Sequence, residues 1–435
     1  MKLRLRGWLR WFYPGMQIKR WILLSLASMG IFVLGLLEVI GAERVRQLYE
    51  FLPKGQAARG VIISLAMLIG LFGFGLGLNR LVRSIARGVA PGRHEKPADM
   101  IFRTRLLEKG PRVVALGGGT GLSTLLRGLK EKTANITAVV TVMDDGGSSG
   151  RLRAELDVLP PGDVRNCILA LAADEERMAE LLQHRFKGGG ELEGHSLGNL
   201  LLVGLEQATG GFDRAIEAMS QVLAIRGEVL PATLTKTHLV ARMEDGEWLE
   251  GESRISADPR KIEKIALTAE KVKPYDRVLE AISRADLILL GPGSLFTSII
   301  PNLLVEGISE EIEKSPAEKM LVANLMTQPG ETDEFSLCDH LRVLDQYVSV
   351  RSFDSILINS ARPPEEILSG YREEKADLVK DDLRDDNEYG LTVIRADLIG
   401  TAQLEGKLTI KHDPKKLARA IVESSRAFSH RQANP

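Results

Sequence analysis

The residues best suited to chemistry fall in two short runs. Gly117, Gly118, Gly119, Thr120 and Gly121 follow four apolar residues and precede a leucine series. Glycines let the backbone approach a ligand where a Cβ would clash, and a helix starting there offers unpaired N–H groups to a phosphate. A tight structural turn would use the same residues. The spacing is neither a dinucleotide fingerprint nor a P-loop: the sixth position of GxGxxG is not glycine, and no Lys-Ser/Thr pair follows. The second run, DDGGSSGRLR from Asp144 to Arg153, sets two carboxylates beside two hydroxyls and two guanidiniums. Asp144 and Asp145 could hold Mg²⁺ against a diphosphate, accept hydrogen bonds from ribose hydroxyls, or orient the loop. Ser148 offers a hydroxyl, and Arg151 a partner for phosphate.

These runs must be held by strands and helices. Val113 to Leu116 and Ile136 to Met143 read as buried strands, while Leu122, Leu125, Leu126 and Leu129 recur at helical spacing. Strand, glycine turn, helix and strand in that order favour a parallel sheet covered by helices. A second such joint follows LILL, with Gly291, Gly293 and Ser294 at its turn. Two joints in one sheet place two ligand-facing edges near a switch in strand order. GDVRN at 162–166 starts a helix: Asp163 reads as a capping or first-turn acid, and Asn166 is less expected there. Asn199, amid leucines in HSLGNLLLVGL, could bond a ligand or a neighbouring backbone. Asp381, Asp382, Asp385 and Asp386 form an acidic cluster that reads as a solvated turn.

The expected fold is α/β: a Rossmann-like, three-layer, mostly parallel sheet with helices on both faces, spanning 111–425. A small β-rich insertion is expected at about 228–255, and 91–110 reads as a linker with a lead-in helix. Cys167 and Cys338 lie far apart and read as reduced, and no HExxH or CxxC pair supports zinc.

Charge is unevenly spread. Residues 1–99 carry 15 Lys/Arg against 5 Asp/Glu, whereas the whole chain has a net charge of -1. The acidic remainder is a poor general nucleic-acid binder. Within the basic segment, Trp21 to Leu37 and Val61 to Asn79 are uncharged. As a helix the second run would be roughly 28 Å long, close to the hydrocarbon thickness of a bilayer. Arginines and lysines before the first run, and Arg80, Arg83 and Arg87 after the second, place both outer flanks in the cytoplasm. A two-helix transmembrane hairpin is therefore expected within residues 1–90, with spans at about 19–40 and 60–79. Both termini and the large domain would then be cytoplasmic, at the lipid bilayer of the cell membrane.

Six motifs in order resemble one family: the Gly117 turn, DDGGSSGRLR, GDVRN, HSLGNL, GPGSLFTSIIPNLLV at 291–305 and NLMTQPGETD at 324–333. The chain resembles the bacterial gluconeogenesis factor family, in the superfamily of the 2-phospho-L-lactate transferase of coenzyme F420 synthesis. The N-terminal part resembles a membrane-anchored, cyanobacterial-like form. The resemblance implies a regulator of cell shape and envelope-precursor supply that binds UDP-sugars, chiefly UDP-N-acetylglucosamine. It implies ligand contacts at Gly118, Gly119, Thr120, Asp144, Asp145, Ser148, Asn166, Asn199, Gly291, Gly293 and Ser294. An amino-sugar-forming amidotransferase is the implied partner, and self-association stays open. The alternative is an Mg²⁺-dependent transferase like the related enzyme, with Asp144 and Asp145 in the catalytic role. No paired nucleophile and base is evident in the spacing.

Overall fold

The structure is a computed structural model that describes residues 104–404 and 407–433, with scattered helical positions between Ala27 and Leu76. Residues 107–434 form one compact unit, distinct from 1–106. Most of the two expected membrane spans lies outside the described residues. Among the described residues no helix is long and apolar enough to cross a membrane.

Twelve strands are described in the compact unit: β1 (Val113–Gly117), β2 (Ile136–Val140), β3 (Glu228–Pro231), β4 (Leu239–Met243), β5 (Trp248–Glu250), β6 (Ile262–Leu267), β7 (Leu287–Leu290), β8 (Glu318–Val322), β9 (Ser355–Asn359), β10 (Thr392–Ala396), β11 (Ile399–Leu404) and β12 (Lys407–His412). The helices that matter below are α1 (Gly119–Leu129), α2 (Gly147–Leu156), α3 (Gly162–Leu171), α4 (Leu197–Thr209), α5 (Glu252–Ala257), α6 (Leu337–Leu344) and α7 (Pro414–Ser424).

The main sheet has seven strands in the order β10-β9-β8-β7-β1-β2-β3, and every pairing in it is parallel. A parallel sheet is buried on both faces, so its strands read as continuous apolar runs. β1 shows how one strand serves two cores. Val113 and Ala115 face the layer of Leu122, Leu125, Leu126 and Leu129 from α1. Val114 and Leu116 face Ile288, Leu290, Phe296 and α6 residue Leu341 on the other side. Burying each such leucine contributes about 1.5–3 kcal/mol, so the two layers hold the sheet in register.

The insertion begins later than the sequence suggests. Glu228–Pro231 pairs parallel with β2 as the edge of the main sheet, and the antiparallel excursion is β5-β4-β6, spanning 239–267. A short buried run cannot reveal its pairing partner; register with β2 decides it. The acidic cluster is engaged: Asp381 and Asp385 both hold the Arg395 guanidinium, and Asp382 accepts from the Cys338 N–H.

After β12 the chain returns across the sheet, and α7 packs Leu417 and Ile421 against the α1 layer. The two helices meet where α1 has no side chain: a Cβ on Gly128 would overlap the Pro414 carbonyl. Gly128→Ala should therefore destabilise the fold by about 1–3 kcal/mol, the usual cost of overpacking. Denaturant unfolding checks this; a midpoint equal to wild type would show that α7 docks without that close approach.

Candidate functional site

The strand order reverses beside β1. The chain leaves β1 toward β2 and β3 on one side and later builds β7 to β10 on the other. Connections diverge at that point, which opens a crevice at the carboxyl ends of β1 and β7. Both strands end there in glycine turns. Gly119 and Gly291 adopt φ of +59° and +86°, a region that side chains strain to reach. The turns touch: a Cβ on Gly121 would overlap the Pro292 carbonyl, and one on Gly293 would lie 3.7 Å from the Gly118 carbonyl oxygen.

Two asparagines tie these turns down. Asn302 is fully buried and donates to the Gly117 carbonyl at 3.1 Å. Asn324 accepts from the Gly293 N–H at 3.0 Å and donates to the Gly293 carbonyl at 2.7 Å. Gln328 adds a hydrogen bond to the Ser294 hydroxyl. All three lie in the motifs at 291–305 and 324–333, which the sequence marks without assigning these residues a contact.

Carboxylates crowd the crevice. Asp144 Oδ1 accepts from the Gly146 N–H at 2.8 Å, whereas Asp145 Oδ1 turns away to the Ser253 N–H, also at 2.8 Å, and so holds α5 of the insertion. Asp163 carries out more than capping: it accepts from the Gly119 N–H, and a Cβ on Gly118 would stand 2.8 Å from its Oδ2. A carboxylate thus meets the backbone donors expected for phosphate. Burial, with the Asp144 charge second, pushes Asp163 up to about 6. Burial likewise raises Asp144. Glu252 on α5 is pushed up to about 9, first by burial and then by Asp144 and Asp163. Glu331 is raised by burial while accepting from Ser256 at 2.9 Å and Thr297 at 3.2 Å. Glu252, Glu331 and Asp163 are site residues that sequence reading missed or gave a smaller part. Asp163 carried a signal inside GDVRN and Glu331 inside NLMTQPGETD, whereas Glu252 carried none.

Oxygen ligands of this kind suit a hard divalent cation, and Asp144 with Asp163 form the pair whose mutual repulsion a cation would relieve. Among the described residues, no three His, Cys, Asp or Glu side chains converge closely enough to hold a metal ion.

A buried polar chain braces the glycine-serine loop. Arg165 can only donate, so Asn199 presents Oδ1 to it, at 2.8 Å, and turns its amide nitrogen to the Ser148 hydroxyl, at 3.1 Å. Ser148 in turn lies 3.0 Å from His195 Nδ1. Burial and Arg151 lower the His195 pKa, which suits a neutral ring accepting the Ser148 proton. Arg165 also donates to the Ser196 hydroxyl and, at 2.7 Å, to Asn166 Oδ1. Ser148 and Asn199 are therefore spent on one another as struts between α2, α3 and α4.

Of the expected site residues, Gly118, Gly119, Thr120, Asp144, Gly291, Gly293 and Ser294 gather at or beside the crevice mouth. Thr120 is exposed on the first turn of α1, where its carbonyl accepts from Ser123 and Thr124. Asp145, Ser148, Asn166 and Asn199 hold the loops behind it. The larger surface depressions, of about 320 and 510 Å³, share Gly227, Glu228 and Arg277 and lie away from the glycine turns.

Known proteins match the part of the chain that carries this site. Residues 113–399 match the family described as 2-phospho-L-lactate transferase CofD. The gluconeogenesis factor of Bacillus subtilis is 48% identical over 313 residues, covering 72% of this chain and 98% of its own. A Nostoc sp. relative is 42% identical over 428 residues, covering 97% of this chain and 93% of its own. A crystal structure of a Bacillus halodurans protein is 46% identical, with a TM-score of 0.68, and covers 72% of this chain and 99% of its own.

The raised Asp163 pKa links stability to pH. Neutral Asp163 is what the buried site favours, so its contribution is full below about pH 4 and is lost as pH rises through about 6. Asp163→Asn keeps an acceptor for Gly119 without the charge. Thermal unfolding across pH 4–8 should show wild type losing ground to the variant as pH rises. A gap that stays constant with pH would show that burial does not disfavour the Asp163 charge.

Proposed function

Because the chain belongs to the gluconeogenesis factor family, built on the core of the 2-phospho-L-lactate transferase superfamily, we propose that it is a regulator that binds a UDP-linked sugar, UDP-N-acetylglucosamine, at the β1–β7 crevice. The observation that carries this reading is the pair of abutting glycine turns at the strand-order switch, where backbone would face a ligand. Gly118, Gly119, Thr120, Gly291, Gly293 and Ser294 would line the diphosphate. Asp163 at the Gly119 N–H means that an incoming phosphate meets a carboxyl group already in place. A proton on Asp163, or Mg²⁺ held by Asp144 and Asp163, would remove that repulsion. The cation would supply charge neutralisation.

Regulation is preferred to turnover because several polar side chains around the turns and the loops behind them are engaged with the protein itself. Asp145, Asn302 and Asn324 each bond a main-chain group, and Ser148 and Asn199 bond one another. The regulated process would be growth on gluconeogenic carbon, cell shape and amino-sugar supply to the envelope, through an amidotransferase partner. The transferase reading rests on the family match over 113–399.

The N-terminal segment would anchor this domain as a membrane hairpin with both ends in the cytoplasm. The reading rests on the uncharged runs Trp21 to Leu37 and Val61 to Asn79 and on the basic residues that flank them. A cysteine probe at Gln56 should react from outside intact cells, and one at Gly189 should not; the opposite labelling pattern would reverse the topology.

Calorimetry on the full chain should show UDP-N-acetylglucosamine binding without consumption in the presence of Mg²⁺. Gly119→Arg should abolish it, whereas Gly246→Arg, at a φ of +86° in the open β4–β5 turn, should not. Equal binding by wild type and folded Gly119→Arg would sink the site. Multiple turnovers lost in Asp144→Asn would instead establish the transferase.

A further inference from the structure

We infer that the small cavity beside the Gly291–Ser294 turn is a second binding pocket, which takes an uncharged group carrying one N–H or O–H donor on a short apolar stem. The inference rests on the reading that a nucleotide sugar occupies the adjoining crevice, and it assigns the part of the sugar that this pocket selects.

The cavity measures about 50 Å³, and its lining includes Gly291, Gly293, Leu321, Asn324, His340 and Leu341. The rest of its lining is apolar side chain or glycine, so Asn324 and His340 are its two polar side chains. Asn324 is tied to the turn, its amide oxygen accepting from the Gly293 N–H and one of its two N–H donors spent on the Gly293 carbonyl. The side chain with a polar atom wholly unmet is His340.

The chemistry of His340 follows from one distance. Its Nδ1 lies 2.8 Å from the Ser336 carbonyl oxygen, which can only accept, so Nδ1 carries the hydrogen. In the neutral ring Nε2 is then a bare acceptor, and it is buried without a partner. Burial also lowers the His340 pKa, which keeps the ring neutral. The Phe335 ring stands edge-on to it at 5.6 Å and 89°, fixing the plane of the imidazole. A buried acceptor left unmet is costly, so a ligand that brings a donor gains by relieving it.

Size and polarity exclude most alternatives. On this measure a cavity needs roughly 10–15 Å³ to hold one water, so the space suits a group of a few non-hydrogen atoms, too small for a nucleobase. Phosphate and carboxylate bring acceptors to an acceptor. An ammonium would surrender its hydration among leucines. A neutral donor such as the N-acylamino group of an amino sugar remains.

The test uses the full chain with ¹⁵N-labelled histidine, observing the unprotonated Nε2 of His340 by NMR. UDP-N-acetylglucosamine should move that resonance to its hydrogen-bonded position, and UDP should not. His340→Leu should weaken the sugar nucleotide about tenfold, the worth of one well-placed hydrogen bond, and leave UDP within about twofold. His340→Gln, which restores an acceptor, should recover part of the loss. Binding of the sugar nucleotide with an unmoved resonance and unchanged affinity in His340→Leu would overturn the pocket and leave the crevice reading intact. If no nucleotide binds, the crevice reading fails, and titration with N-methylacetamide decides the pocket by itself. A shift at Nε2 sustains it, and no shift identifies a void that holds water only.

Discussion

The close approach of two glycine turns, one after β1 and one after β7, is the constraint on which the rest of the molecule depends. Backbone packs on backbone there, with no room for a Cβ on Gly121, and buried polar backbone must be paired wherever water is excluded. The paired groups come from far along the chain: Asn302 reaches Gly117, and Asn324 reaches Gly293. Each such bond nets only about 0.5–1.5 kcal/mol, yet removing its partner exposes a larger desolvation penalty. The geometry of the crevice is thus enforced by what it would cost to leave these groups unmet.

Electrostatics sets the second condition. Asp144, Asp163 and Glu252 are half-buried beside the buried Glu331, and loss of solvent is the first cause of the raised pKa of each. Opposing them are Arg153 and Arg165, both of which are committed. Arg153 donates to the Met143 and Thr237 carbonyls, and Arg165 to Ser196, Asn199 and Asn166. Those arginines brace loops and have few donors left for a ligand. A diphosphate in the crevice would rely on backbone N–H groups and on a proton or cation among the acids. Binding should accordingly be more sensitive to pH and divalent ions than in a site lined by free arginines.

The β4–β6 excursion belongs to this arrangement although it lies outside the main sheet. Its one short helix, α5, delivers Glu252 to the acids while Ser253 bonds Asp145 and Ser256 bonds Glu331. The insertion is held at the crevice through the very carboxylates it crowds. Changing their protonation would alter both the charge of the site and the grip on α5.

The sequence by itself determined the strand–turn–helix joints at Gly117 and Gly291, because apolar runs ending in glycine admit few other structures. It also determined the parallel α/β class and, through its motifs, the family. Its assignment of Asp144 to the site followed from position at a strand end. Pairing was beyond it: whether Glu228–Pro231 joins the main sheet or the insertion depends on register, which a short buried run does not encode locally. The tertiary structure alone decided that Asp163 meets the Gly119 N–H, that Glu252 and Glu331 enter the acids, and that Ser148 and Asn199 bond each other. Those contacts join residues dozens to more than a hundred positions apart. Side chains that any surface helix could carry acquire their roles only when the sheet order brings their elements to one edge.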